Sequence, residues 1–314
     1  MEKIHELTNS NLNSGFICAA NDRVADSQFS EALTNFASGV RSEKYEALLN
    51  FIAPAVRANR RFEFRKGGKG EFLADSEDVR NVGGDFKRLE VKGEIVQEKT
   101  LNKGLTIRID NDERYDGIEE EKTQSLVRRL IRNECVRAVA MLLSVAGSAS
   151  AKSWATGSTK TQPDADLRAL IDSVGDAVML DANRLLIGSK AWSTRLEVYE
   201  SSTAPYAGVA ANFGAQQLAD KLGLDGVFKS TERVETVSGK AKVTNSAYAV
   251  AFIGMDGATD LDPSTLKRFW SPCDGGEMFR IWRDEKAKWV DITVEHYSNI
   301  VNTVAGGAKA ISVS

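Results

Sequence analysis

Apolar residues along this chain change their spacing several times, and each change marks an element. Residues 1–25 show weak periodicity and many Asn and Ser, so they read as a flexible arm. Helical spacing begins near Phe29. Phe29, Leu33 and Phe36 recur three or four positions apart, as do Tyr45, Leu48, Leu49 and Ile52. Gly39 separates two short helices, and Pro54 ends the second.

The next stretch alternates. Phe62 and Phe64 stand between charged residues, which is a strand pattern. Glycines follow at 67, 68, 70, 83 and 84, and alternation returns from Phe86, through Leu89 and Val91, and again at Leu105, Ile107 and Ile109. Two polar strands around a glycine-bearing middle predict one long hairpin over roughly residues 60–110. It holds too few apolar side chains for a core of its own, and an isolated two-stranded ribbon is marginal in water. It therefore needs a partner surface, which a second subunit could supply.

Residues 111–121 (NDERYDGIEEE) are acidic and introduce a helix whose first turn holds Glu119, Glu120 and Glu121, where negative charge suits the helix dipole. Leu126, Val127, Leu130, Ile131, Ala138, Val139, Leu142 and Leu143 extend its apolar stripe to about Ala146, and Gly147 is the stop. At 1.5 Å per residue such a helix is about 43 Å long. The small polar run at 147–162 reads as a linker. Beyond it, Pro163 begins an amphipathic helix, NRLLIG (183–188) is a short buried strand, and Ser189 is expected to cap a helix bearing Trp192 and Leu196. Phe213–Leu222 gives a third helix, and Val227–Val237 and Ala247–Ile253 give strands, an α/β order. After Pro263, strands are expected around Phe269–Trp270, Met278–Trp282 and Trp289–Val294, as an antiparallel sheet.

Composition excludes more than it identifies. Charged residues make up 27% and hydrophobic residues 42%, which is globular rather than disordered or collagen-like. A net charge of −3 is unlike a protein that coats nucleic acid in bulk. No run approaches the ~18 apolar residues of a membrane helix, and MEKIHELTNSNLNSG lacks a signal-peptide pattern, so assembly in a cytoplasm and no membrane partner are expected. Cys18, Cys135 and Cys273 lie too far apart to suggest a disulfide framework or zinc site, and Cys135 falls in an apolar stripe. His5 and His296 are the sole histidines. No nucleophile elbow, metalloprotease helix or phosphate loop is present, so no catalytic, cofactor-binding or metal-binding residue is assigned and no cofactor is expected.

One cluster has a functional reading. Arg57, Arg60, Arg61, Arg65, Lys66 and Lys69 surround a single acid, Glu63, with Phe62 and Phe64 interleaved. Such a face suits an acidic partner. Bases could stack on the phenylalanines, but packing of this strand on a neighbouring copy is the stronger reading, and these eight residues are the candidate inter-subunit contacts.

The order of elements resembles the major capsid proteins of tailed bacteriophages, the Hong Kong 97-type fold. The resemblance covers nearly the whole chain and is carried by KTLNKGLTIRIDNDE (99–113), the helix after it, PDADLRALIDSV (163–174) and ANRLLIGSKAWSTRL (182–196). It implies an α+β fold with an N-terminal arm at 1–56 and an extended hairpin loop at 57–110, lying across a neighbour. A peripheral domain at 111–160, with a spine helix, is completed by returning strands at 263–314. Residues 161–262 form an α/β axial domain. It further implies a virion protein that assembles with itself as hexamers and pentamers around double-stranded DNA, with a separate scaffolding protein and a portal as partners. Some members crosslink through Lys and Asn; Lys66, Lys69 and Asn299 supply the residue types. The sequence leaves alternatives open: an encapsulin-like container for enzyme cargo, and an α/β enzyme with its site near Gly188 and Gly254. A nucleic-acid module using 57–69 is a third.

Overall fold

The computed structural model describes residues 31–39, 42–66, 94–155, 162–202, 207–236, 239–259, 262–273 and 276–314. The expected arm at 1–25, the glycine-bearing middle of the hairpin and Lys69 lie outside them. The chain divides into two compact units, each assembled from three segments.

The first unit comprises Met1–Ser42, Leu101–Ile131 and Trp270–Ser298. Its frame is an antiparallel sheet in which strand Trp289–Asn302 pairs on one side with Leu101–Asp110 and on the other with Phe279–Glu285. Alternation sets the faces: Val290, Ile292 and Val294 are buried, and Ile281 and Ile109 join them from the flanking strands. Helix Glu31–Gly39 packs on strand Phe279–Glu285, where Ile281 N donates to Thr34 Oγ1 at 3.3 Å. This pairing corrects the sequence expectation of one ribbon reaching residue 110. Leu105, Ile107 and Ile109 do alternate, but opposite Val294, Ile292 and Val290 rather than as an arm of the hairpin.

The second unit comprises Glu43–Thr100, Arg132–Phe269 and Asn299–Ser314. Its sheet runs in the order Ser150–Lys152, Ala308–Val313, Tyr248–Phe252, Arg184–Gly188, Gly226–Ser230. All five residues of Arg184–Gly188 are buried, as a central strand covered on both faces requires. Helix Pro163–Val178 packs on one side through Leu167, Leu170, Ile171 and Val174. On the other, Leu48, Leu49 and Ile52 of helix Glu43–Ile52 meet Cys135, Ala138, Val139 and Leu142 with Leu186, Val250 and Phe252 of the sheet.

Helix Ile118–Ala146 has the expected 29 residues and stops at Gly147, which takes the left-handed conformation (φ +69°) that glycine adopts without a Cβ penalty. Other expectations are revised. The linker at 147–162 contains strand Ser150–Lys152, parallel to Ala308–Val313, and a buried Trp154 whose indole N–H donates to Asp166. Ser189 is the first helical residue and not a cap; the N–H groups of Lys190 and Ala191 donate instead to the Ser246 carbonyl at 2.8 and 2.9 Å. Residues Val227–Val237 are two strands, Gly226–Ser230 and Arg233–Thr236, interrupted where the buried Glu232 carboxylate accepts from Ser230 Oγ and Thr231 N. The last strand, Ala308–Val313, belongs to the second unit's sheet rather than to the returning antiparallel one.

Candidate assembly interface

The basic ribbon is built on two short strands. Arg61–Lys66 pairs antiparallel with Glu94–Lys99, placing Arg61 opposite Lys99, Glu63 opposite Gln97 and Arg65 opposite Ile95. These six side chains share one face, and that face is exposed. Three cations therefore stand against one acid, Glu63, which accepts a hydrogen bond from Gln97 Nε2 at 2.6 Å. Ile95 adds an apolar side chain that is 61% exposed.

The opposite face is closed within the chain. Phe62 and Phe64 are buried, and both lie against Phe269, with Val56 and Val301 completing the cluster. The two phenylalanines are therefore not available for a neighbouring copy or for base stacking; their own unit supplies the apolar partner that the ribbon's base lacks. Of the other candidates, Arg57, Arg60, Arg61 and Arg65 are exposed and Lys66 is half-buried. The ribbon is tied down at its root, where Thr100 N donates to the Arg60 carbonyl at 3.0 Å and Asn299 Nδ2 to the Lys99 carbonyl at 3.0 Å.

The acidic stretch before the long helix is ordered by its own ion pairs. Glu119 takes Arg283 Nε at 2.9 Å and Arg114 Nη2 at 2.9 Å. Partial burial pushes the Glu119 carboxyl up, but the two arginines outweigh it and hold it below the ordinary value. These acids are a solvated, paired helix start, as the geometry of adjacent helical residues predicts.

The second unit contains a buried ion cluster that sequence reasoning missed. Asp164 accepts from Arg195 Nε at 2.7 Å and Nη2 at 3.1 Å, and from Lys221 Nζ at 2.7 Å. Arg195 and Asp164 are only 1% and 4% exposed, and Arg195 also lies over the Tyr199 ring. Burial raises the Asp164 carboxyl, and Arg195 and Lys221 more than reverse that, leaving it below its usual range. Nothing local in the sequence links residues 31 and 57 positions apart. The cluster ties the first turn of helix Pro163–Val178 to helices Ser189–Glu200 and Ala215–Leu222.

The strand ends near Gly188 and Gly254 are filled. A methyl group at Gly188 would lie 2.4 Å from the Asn245 carbonyl oxygen and 2.5 Å from that of Ser246, and one at Gly254 would meet the Arg184 side chain at 2.9 Å. Among the described residues no three His, Cys, Asp or Glu side chains are grouped to hold a metal ion, and no helix is long and apolar enough to cross a membrane.

No protein-family model and no curated protein matches the chain. Solved structures do. A phage-related protein from Bordetella bronchiseptica RB50 superimposes with a TM-score of 0.64 at 13% identity, over 91% of this chain and 97% of that one. The capsid structure of cyanophage P-SCSP1u gives a TM-score of 0.53 at 11% identity, over 84% and 86%. The mature capsid of bacteriophage PhiM1 gives 0.51 at 8% identity, over 83% and 85%. The chain has the fold of bacteriophage capsid proteins.

Proposed function

We propose that the chain is the major capsid protein of a tailed bacteriophage, which assembles with itself into an icosahedral head enclosing double-stranded DNA. The observation that carries this reading is the match to phage capsid folds over 83–91% of this chain and 85–97% of the matched ones. The action is geometric. A heterologous contact repeated around an axis closes rings, here hexamers and pentamers, and rings close a shell. The exposed face of the ribbon reaches between copies, while helices Glu31–Gly39 and Glu43–Ile52 of the expected arm pack within their own units. The unit built on Leu101–Ile131 and Trp270–Ser298 serves as the peripheral domain, and the unit that holds 161–262, with Ala308–Val313 in its sheet, as the axial domain. A separate scaffolding protein guides assembly in the host cytoplasm, and a portal admits the DNA.

The exposed face of the ribbon supports the role of Arg61 and Arg65 as contacts with acidic groups of another copy, and Arg57, Arg60, Lys66 and Lys69 are proposed with them. Arg61, Arg65 and Lys99 form a cationic row beside exposed Ile95, and near-neutral net charge limits repulsion between crowded copies.

Negative-stain electron microscopy of the expressed protein tests the reading. Closed shells with nuclease-protected DNA after infection, or empty shells from the protein with a scaffolding partner, are the expected result. Particles that stay monomeric under all assembly conditions would overturn it, and shells that package an enzyme instead of DNA would replace it with a cargo container.

A further inference from the structure

A two-stranded hairpin in the second unit has no core of its own. Strands Arg233–Thr236 and Gly239–Lys242 pair antiparallel, and nearly every residue in them is exposed. Their register puts Arg233 directly opposite Lys242 and Glu235 opposite Lys240 on one face. Like charges directly opposite one another destabilise a sheet pair. The hairpin thus carries an excess of positive charge that its own strands do not neutralise, and Lys190 adds to it at the same end of the sheet.

The opposite imbalance sits elsewhere in the same unit. Asp176 is exposed in the last turn of helix Pro163–Val178, a turn that has no basic residue although the helix dipole favours cations there. Met179 follows in the left-handed conformation (φ 60°) with 66% of its surface exposed, and Asp181 and Asp225 stand exposed beside it in sequence or across the sheet end. Among the described residues Arg233, Lys240, Asp176 and Asp181 have no ion-pair partner.

Topology keeps the two imbalances apart. Arg184–Gly188 and Gly226–Ser230 run parallel, with Arg184 opposite Gly226 and Gly188 opposite Ser230. The Met179–Asp181 turn and Asp225 precede these strands; the hairpin follows Ser230, and Lys242 Nζ donates to Ser189 Oγ just beyond Gly188. The acidic and basic groups therefore lie at opposite ends of five-residue strands, about 13 Å or more apart, and cannot pair within one copy. Surfaces that are complementary and placed at opposite ends meet only head to tail, which is the arrangement that closes rings.

We propose that the basic hairpin 233–242 of one copy docks on the acidic, methionine-bearing end of helix Pro163–Val178 in the next copy, forming a ring-closing contact of the shell. This deepens the capsid reading and rests on it. The hairpin's cations, which share one face, meet Asp176 and Asp181.

Charge reversal and a crosslink test it on the full chain. Lys240→Glu with Lys242→Glu, and separately Asp176→Lys with Asp181→Lys, are each expected to leave folded subunits that form at least tenfold fewer shells by sedimentation. Joining all four changes is expected to restore them. Unchanged assembly in either double variant, or folded double variants that the quadruple fails to rescue, overturns the contact. Should a double variant fail to fold, the milder Lys240→Cys with Asp176→Cys chain decides the matter. Oxidised shells are expected to give a ladder of covalent oligomers, and shells without that ladder overturn the contact while leaving the capsid reading intact. Absence of shells from the wild-type chain would remove both.

Discussion

Phe62 of the ribbon stacks on Phe269, with ring centroids 4.3 Å apart and planes inclined by 24°. Phe64 sits 6.1 Å from the same ring, so one side chain anchors both apolar positions of strand Arg61–Lys66. Phe269→Ala is expected to cost about 3–5 kcal/mol, as truncation of a buried aromatic does. The loss should show in thermal unfolding and as faster proteolytic cleavage between residues 60 and 100. Phe269→Leu, which refills much of the space, should lose less. Equal protease resistance in Phe269→Ala would mean that the ribbon's base is held by something other than this stack.

Asp164 supplies a pH dependence whose sign follows from its surroundings. Its pKa in the folded chain is depressed, because Arg195 and Lys221 outweigh the effect of burial. The stability it contributes is therefore present above the unfolded value of about 3.9 and is lost as pH falls through the lower folded value. Asp164→Asn leaves Arg195 buried without its counter-charge, which typically costs about 3–5 kcal/mol. The gap in melting temperature between wild type and variant should be full at pH 7 and should narrow below about pH 4. A gap independent of pH down to 2 would show that the carboxylate charge is not what stabilises the cluster.

Cys135 is buried in the apolar contact between helices Glu43–Ile52 and Ile118–Ala146, and burial with the nearby Glu232 charge pushes its thiol up to about 12. The thiolate is the reactive form. Native protein at pH 8 should therefore leave the Cys135 peptide unlabelled by a soluble maleimide for hours, and denaturant should expose it. Rapid labelling of that peptide in the native state would show local opening of this core.

The cationic row on the ribbon should matter for assembly and not for folding. Arg60, Arg61 and Arg65 are exposed, and surface charges of this kind contribute about 0–1 kcal/mol to stability. Replacing all three by Glu should keep the circular-dichroism spectrum and melting temperature and abolish shell formation. Normal shells from this variant would remove the row from the interface.

Helices were the legible part of the sequence. The stripe from Leu126 to Leu143, the stop at Gly147 and the proline start at Pro163 are local signals, and the helices lie where those signals put them. The buried strand NRLLIG was equally plain, because a run of apolar residues this short leaves little choice. The basic face was legible as composition. That its phenylalanines are taken up by Phe269, and that a second basic hairpin stands at 233–242, was not: the first depends on a residue 207 positions from Phe62, and the second was hidden in what read as one strand.

Period and punctuation in a chain fix which side of a helix or strand is apolar, because that depends only on neighbouring residues. They do not name the partner, because any complementary apolar face satisfies the same pattern. Ile107 alternates as an arm of a hairpin would, yet pairs with Ile292; Ala308–Val313 completes the sheet around Tyr248–Phe252; Asp164 waits for Arg195. Those choices were made by the packing of the whole chain, where burial of all faces at once selects one set of long-range pairs.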